Sequence, residues 1–235
     1  DAILAALGSR KLGGRPVKVV LPRTQMFEMT GHRPQTVQRI RLGARADGRL
    51  EAIAHDVWSE NNPAETFNEP AAEVTRSLYA APHRRTTHRL VTLDVPIGCS
   101  MRAPGEAVGM LALESAMDEL AHQLEIDPIE LRIRNEPSED PEKQVPYSTR
   151  NLVACLREGA KRFGWERRNP KPGQVADGRW RVGLGVAAAS RSVLLQPCKC
   201  RLTLERDGGV TARLAMTDIG TGTYTILTQV GADML

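Results

Sequence analysis

Two short runs of small residues, each opening straight into an apolar helix, constrain this chain more than any other feature: MRAPGEAVGM from Met101 to Met110 and DIGTGTYT from Asp218 to Thr225. At Ala103, Gly105, Gly220 and Gly222 the side chain is a methyl or nothing, so main-chain N–H groups can approach a ligand that bulk would block. A helix beginning just after such a loop adds unpaired N–H donors and the positive end of its dipole. The pair predicts a cradle for a phosphorylated cofactor. A tight strand-to-helix turn that merely needs small residues accounts for the same pattern, and G-x-G alone has neither the third glycine of a dinucleotide fingerprint nor the lysine of a P-loop.

The segments between these loops read as alternating helices and strands. DAILAALGSRKLG is a helix, and VKVVLP between Pro16 and Pro22 reads as a buried strand. From Thr36 to Trp58 apolar and polar residues alternate on both sides of Asp47-Gly48, the signal of a β-hairpin. Residues 59–88 read as a polar surface excursion with one helical turn near AAEVTRSLYAA, and RLVTLDV at 89–95 as a strand. From Glu106 the positions Val108, Leu111, Ala112, Leu113, Ala116, Met117, Leu120, Ala121 and Leu124 recur every three or four residues, which predicts an amphipathic helix. Asp127-Pro128-Ile129-Glu130 then supplies an N-cap, a first-turn proline and a capping-box glutamate for a second helix.

EPSEDPEKQVPYSTR is charged and proline-rich, so the division expected is 1–136, a linker at 137–150, and 151–235. NLVACLREGAKRFGW predicts a helix ending near Gly164, VGLGVAAAS a small-residue strand, and CKCRLTLERDGGVTARLAM a second hairpin that delivers the DIGTG loop. Each half thus places a hairpin and strands before a glycine loop that opens a helix, and both are expected to present loops to one cleft. The fold class is α+β: two sub-domains of mixed sheets with β-hairpins packed by helices. Starting and stopping inside helices without caps, the chain reads as a fragment.

Charge narrows the partners. The net charge of +4 comes from 32 basic residues nearly matched by 28 scattered acidic ones, and aromatics are 4% of the chain, so no nucleic-acid surface is expected. No apolar run reaches spanning length, so no membrane insertion is expected either. Cys99, Cys155, Cys198 and Cys200 have neither C-x-x-C spacing nor histidines to complete a zinc set, and read as reduced, buried thiols.

Among side chains, Arg102 sits in a loop of small residues where a guanidinium can clamp an oxyanion, although a surface arginine looks the same in sequence. Glu106 fits a partner for the helix dipole better than a base. His32 and His55 fall in or near the first hairpin and, like His83, His88 and His122, read as satisfied or surface residues rather than catalytic ones. Amides at Ile219 to Thr223, with the hydroxyls of Thr221 and Thr223, are placed to donate to phosphate oxygens.

Taken in order, RPVKVVLPRTQMF, TGHRPQTVQRIRLGARADGRLEAIAHDV, MRAPGEAVGMLALESAMDELAHQLEIDPIELRIRN and DIGTGTYTILTQV resemble the molybdenum-binding large subunit of the xanthine dehydrogenase and aldehyde oxidase family, in its bacterial aldehyde-oxidizing branch. The resemblance implies that Met101 and Arg102 lie beside a molybdenum centre and that Ile219, Gly220, Thr221, Gly222 and Thr223 grip the molybdopterin. Ala103 and Pro104 stand where xanthine-oxidizing members carry glycine and a substrate-stacking phenylalanine, which implies a pocket for an aldehyde rather than a purine.

The implied reaction oxidizes aldehydes to carboxylic acids, or hydroxylates N-heterocycles, with water as the oxygen source. The molybdenum would be held by the pterin, in its cytosine dinucleotide form, with no direct protein ligand. Its catalytic base, a glutamate of a glycine-glutamate-proline motif, would lie beyond Leu235. Iron-sulfur clusters and FAD would belong to partner subunits, in the cytoplasm or alternatively the periplasm. A non-catalytic anion- or nucleotide-binding module is the rival, and a purely structural subunit a third reading.

Overall fold

The computed structural model describes residues 2–191 and 196–234, in two compact units, Asp1–Arg191 and Ser192–Leu235. Asp1 and Leu235, at the ends of the first and last expected helices, lie outside the described residues. No helix among the described residues is long and apolar enough to cross a membrane.

The first unit is built on the hairpin that Asp47-Gly48 signals. Strands β1 (Thr36–Ala44) and β2 (Leu50–Asn61) pair antiparallel, with a bulge between Gly43 and Ala44. Alternation sorts their side chains: Ile40 and Leu42 pair with His55 and Ile53 on one face, while Arg39 and Arg41 pair with Asp56 and Ala54 on the other. Strand β3 (His83–Thr92) then joins β2 in parallel.

A parallel neighbour demands a long crossover, and residues 62–82 supply it, carrying the short helix α3 (Val74–Ser77). This overturns the expected surface excursion: Glu69, Ala71, Ala72, Thr75, Leu78 and Tyr79 are fully buried. It also starts the strand six residues before the expected Arg89, because HRRTTH, polar in sequence, pairs along β2.

Helix α4 (Glu106–Gln123) covers the sheet and crossover. Leu113, Met117 and Ala121 join Leu50, Ile53, Val74, Leu78, Tyr79 and Leu131 in the main core. Leu111, counted with the buried stripe in sequence, is instead 71% exposed. Gly109 marks the closest approach: a Cβ there would stand 1.9 Å from the carbonyl oxygen of Ala71. Helix α5 (Pro128–Arg134) begins as its sequence predicts, with the Asp127 carboxylate accepting from Ile129 N and Glu130 N. At its end Asn135 accepts from Leu50 N and donates to the carbonyls of Gly48 and Leu131, fastening the hairpin to the helix.

Buried charge completes this core. Glu114 on α4 accepts from the Tyr79 hydroxyl at 2.5 Å, from Arg132 Nε at 2.8 Å and from Ala188 N at 2.6 Å. Burial and the Glu114 carboxylate push the Tyr79 phenol far up, so it stays a donor. His55, expected to be satisfied, is buried between Thr75 Oγ1 and Gln38 Oε1 at 2.8 and 3.0 Å. Burial, with His88 nearby, lowers its pKa to about 4, which leaves it neutral and unsuited to act as a base near neutral pH.

The remaining elements correct several expectations. VKVVLP is not a strand: it finds no ladder partner among the described residues, and the chain coils between helices α1 (Ala2–Lys11) and α2 (Arg23–Met29). Residues 136–150 are tied to the first unit, since Arg150 bonds Glu136 and the Leu78 carbonyl and Tyr147 donates to the Ser77 carbonyl. Helix α6 (Leu152–Phe163) ends at left-handed Gly164 as read from sequence. A two-residue hairpin of β4 (Ala176–Asp177) and β5 (Trp180–Arg181) follows. VGLGVAAAS is unpaired rather than a strand, its Ala188 serving the Glu114 network.

The second unit holds the expected hairpin, β6 (Cys200–Leu204) with β7 (Val210–Leu214), then the DIGTG loop and helix α7 (Thr223–Met234). All four cysteines are free, but Cys155, Cys198 and Cys200 are exposed and Cys99 half-buried, so the expectation of buried thiols fails. Cys155 lies on α6, which buries only its neighbour Leu156, while Cys198 precedes and Cys200 opens β6, a hairpin strand exposed along its length.

Candidate functional site

The Met101 to Gly105 loop is shaped from beneath. Glu69, fully buried in the crossover, accepts from Gly105 N at 2.5 Å and from Arg33 Nη1 at 2.7 Å. The same Arg33 guanidinium donates to the carbonyls of Arg102 and Ala103. One cation and one carboxylate, from segments far apart in sequence, thus hold consecutive peptide groups of the loop. Sequence reading missed both residues, and no spacing rule reveals a pair 36 positions apart.

Two backbone conformations depend on this support. Gly105, the N-cap of α4, has φ +78°, and a Cβ on it would come within 2.6 Å of the Pro70 carbonyl oxygen, so its bareness serves packing against the crossover. Ala103 has φ +53°. For a residue with a Cβ the left-handed region costs about 1 kcal/mol, so the neighbouring contacts must hold it there.

The expected side chains of this loop lie where they can meet a ligand. Arg102 is exposed, and its guanidinium has no partner among the described residues. Met101 is 40% exposed, and Ala103 and Pro104 are half-buried. Glu106 heads α4 as expected, with one carboxylate oxygen paired to Arg191 and the other buried without a hydrogen-bond partner among the described residues. The second oxygen of Glu69 is likewise buried and has no partner among them.

The Asp218 to Thr223 loop is organised differently from its sequence reading. The Asp218 carboxylate accepts from Gly220 N at 2.8 Å, Thr221 N at 3.0 Å and Thr223 N at 2.8 Å. These backbone donors hold its carboxyl below the usual range, so it is ionised at neutral pH. Of the amides expected to take phosphate oxygens, those of Gly220, Thr221 and Thr223 are therefore occupied by an anion of the chain itself. The Thr221 and Thr223 hydroxyls bond each other at 2.7 Å. What stays open is the glycine side: an added Cβ at Gly220 or Gly222 would meet nothing within 4 Å.

Among the described residues no group of three His, Cys, Asp or Glu side chains is placed to hold a metal ion. His32 bonds Glu60 at 2.8 Å, and His55 is taken by Thr75 and Gln38. What the two loops offer is recognition: on one, a guanidinium without a partner among the described residues on a braced backbone, and on the other, an uncluttered glycine surface. These are fitting features for an anionic organic cofactor that brings its own metal ligands.

Comparisons with known proteins agree. The family models described as molybdopterin cofactor-binding domain match residues 1–136 and 158–235. The chain is 52% identical over its whole length to the aldehyde oxidoreductase molybdenum-binding subunit PaoC of Escherichia coli K12, and 30% identical over 98% of its length to the putative xanthine dehydrogenase molybdenum-binding subunit XdhA of the same strain. It spans 32% of the length of each. The fold is similar to that of the aldehyde oxidoreductase of Desulfovibrio gigas, with a TM-score of 0.59 at 23% identity over 87% of this chain and 23% of that one. Both halves of the chain therefore belong to the molybdopterin cofactor-binding domains of the xanthine dehydrogenase and aldehyde oxidase family.

Proposed function

We propose that this chain is the part of a molybdenum hydroxylase subunit that wraps its cofactor, and that the complete subunit oxidizes aldehydes to carboxylic acids with water as the oxygen source. The observation that carries the reading is the braced loop at residues 101–105, which offers Arg102 without a partner among the described residues. In this reading Met101 and Arg102 lie beside the molybdenum. Ala103 and Pro104 line the substrate pocket, where the absence of an aromatic ring favours a small aldehyde over a purine. Ile219, Gly220, Thr221, Gly222 and Thr223 face the pterin.

Asp218 sharpens the last assignment. A carboxylate already filling the α7 N-terminus repels a phosphate, so this loop suits the uncharged pterin ring, while the positive Arg102 suits an oxyanion. When bound, the molybdenum cofactor supplies the two-electron oxidation, and the residues of this chain orient it. We place the base in a glycine-glutamate-proline motif of the complete subunit, and iron-sulfur clusters and FAD on partner subunits that carry electrons away. A cytosine dinucleotide form of the cofactor and a cytoplasmic site complete the proposal.

Metal and pterin analysis of the full-length subunit, with turnover by a dye acceptor, tests this. Molybdenum, a pterin dinucleotide and faster turnover of aldehydes than of purines are expected. A metal-free subunit, or one in which Arg102→Ala leaves cofactor content unchanged, would refute it in favour of a binding module or a structural subunit.

A further inference from the structure

We infer that Arg33 and Glu69 are positioning residues that set the direction of the peptide groups in the 101–105 loop, so that the loop is built to receive the cofactor before it arrives. The inference rests on the reading above that this loop contacts the molybdenum cofactor.

The argument begins with burial. Glu69 is fully buried, one of its oxygens takes Gly105 N and Arg33 Nη1, and the other has no hydrogen-bond partner among the described residues. A carboxylate is kept in such a place only where its charge is matched, and Arg33 matches it at 2.7 Å. The guanidinium is a planar fork with five donors, and here Nη1 engages Glu69 at 2.7 Å and the Ala103 carbonyl at 3.4 Å while Nη2 reaches the Arg102 carbonyl. Lysine, with one compact ammonium, cannot span the same three acceptors.

Peptide geometry carries the consequence. The carbonyl of Arg102 and the N–H of Ala103 belong to one peptide group, and no peptide bond among the described residues is cis. In a trans peptide the two point in opposite directions. Turning the Arg102 carbonyl onto Arg33 therefore turns the Ala103 N–H away from Arg33. That orientation coincides with φ +53° at Ala103, a conformation that alanine leaves unless held. Glu69 fixes the next N–H, that of Gly105, from below. The ion pair thereby selects one conformer of the loop, at the position where the aldehyde-type sequence has alanine in place of a more permissive glycine.

The test uses the full-length subunit purified with its partner subunits. Molybdenum per subunit is measured by mass spectrometry, and the molybdenum(V) electron paramagnetic resonance signal is recorded after partial reduction. Glu69→Gln and Arg33→Lys are compared with wild type, with Ala103→Gly, and with each combined with Ala103→Gly. Because charge-assisted hydrogen bonds are lost, Glu69→Gln and Arg33→Lys are expected to retain less than about a third of the wild-type molybdenum and to broaden the signal. Glycine at 103 occupies the left-handed region freely, so the double variants are expected to recover at least about half of the lost metal. Full loading and an unchanged signal in both single variants would overturn the inference. So would a loss that Ala103→Gly does not reverse, since that pattern marks general unfolding rather than loop positioning. A wild-type subunit without molybdenum would instead refute the functional reading on which the inference stands.

Discussion

Replacing Glu114 by glutamine tests the packing that holds α4, and with it the loop that opens that helix. The substitution keeps shape and removes one charge. In the wild type two carboxylate oxygens accept three donors: the Tyr79 hydroxyl, Arg132 Nε and Ala188 N. An amide has one accepting oxygen, so Tyr79 must turn its hydroxyl to accept, and the Arg132 and Ala188 donors must share what remains. The larger loss is electrostatic. Arg132 is fully buried, and its other charged neighbour, Asp118 at 2.8 Å, is 43% exposed and lies off the N–H direction.

Removing one partner of a buried pair costs about 3 to 5 kcal/mol, and the residual Asp118 attraction places this case near the lower end. About 3 kcal/mol corresponds to roughly a hundredfold rise in the population of locally opened states. Hydrogen exchange of the full-length subunit, followed by mass spectrometry on peptides from α4 and α5, reads that population directly. Exchange about a hundredfold faster than wild type is expected in both helices. Exchange within threefold of wild type would show that the Glu114 charge carries no net stability, and the account of this core would fail.

Two further outcomes follow from the same core. The folded pKa of His55, about 4, lies below its unfolded value, so the unfolded state binds more protons between them. Stability is thus complete above pH 6.5 and falls as pH drops from about 6.5 towards 4, by about 3 kcal/mol if the shift is fully expressed. Denaturant unfolding across that range should show the decline in wild type and a flatter profile in His55→Gln; parallel profiles would contradict it. Gly109→Ala would force a methyl against the Ala71 carbonyl at 1.9 Å, so α4 must move off the crossover, with an expected loss of at least about 2 kcal/mol. A variant as stable as wild type in the same assay would show that the contact yields freely.

How much of this was legible in the sequence depended on whether a signal was local. Asp47-Gly48 between alternating runs, the three- and four-residue spacing after Glu106, and the cap at Asp127 each specify their element through neighbours in the chain, and each forms where read. The first six residues of β3 did not announce themselves, because HRRTTH is held by pairing to a strand more than twenty residues earlier rather than by its own hydrophobicity. VKVVLP erred the other way: β propensity without a partner makes no sheet.

The site divides along the same line. Small residues located both loops, but Arg33, Glu69 and Asp218, which shape them, are charges whose roles arise only from folding. Arg132 and Glu114, in sequence two ordinary helix charges, proved to be the most deeply buried ion pair of the first unit.

The central claim is that residues 101–105 and 219–223 hold the molybdenum cofactor. Hydrogen exchange of the full-length subunit, prepared with and without cofactor, measures this at the amides concerned. The account predicts slower exchange on loading in peptides covering both loops. Unchanged exchange in both, with protection confined to other segments, would contradict it.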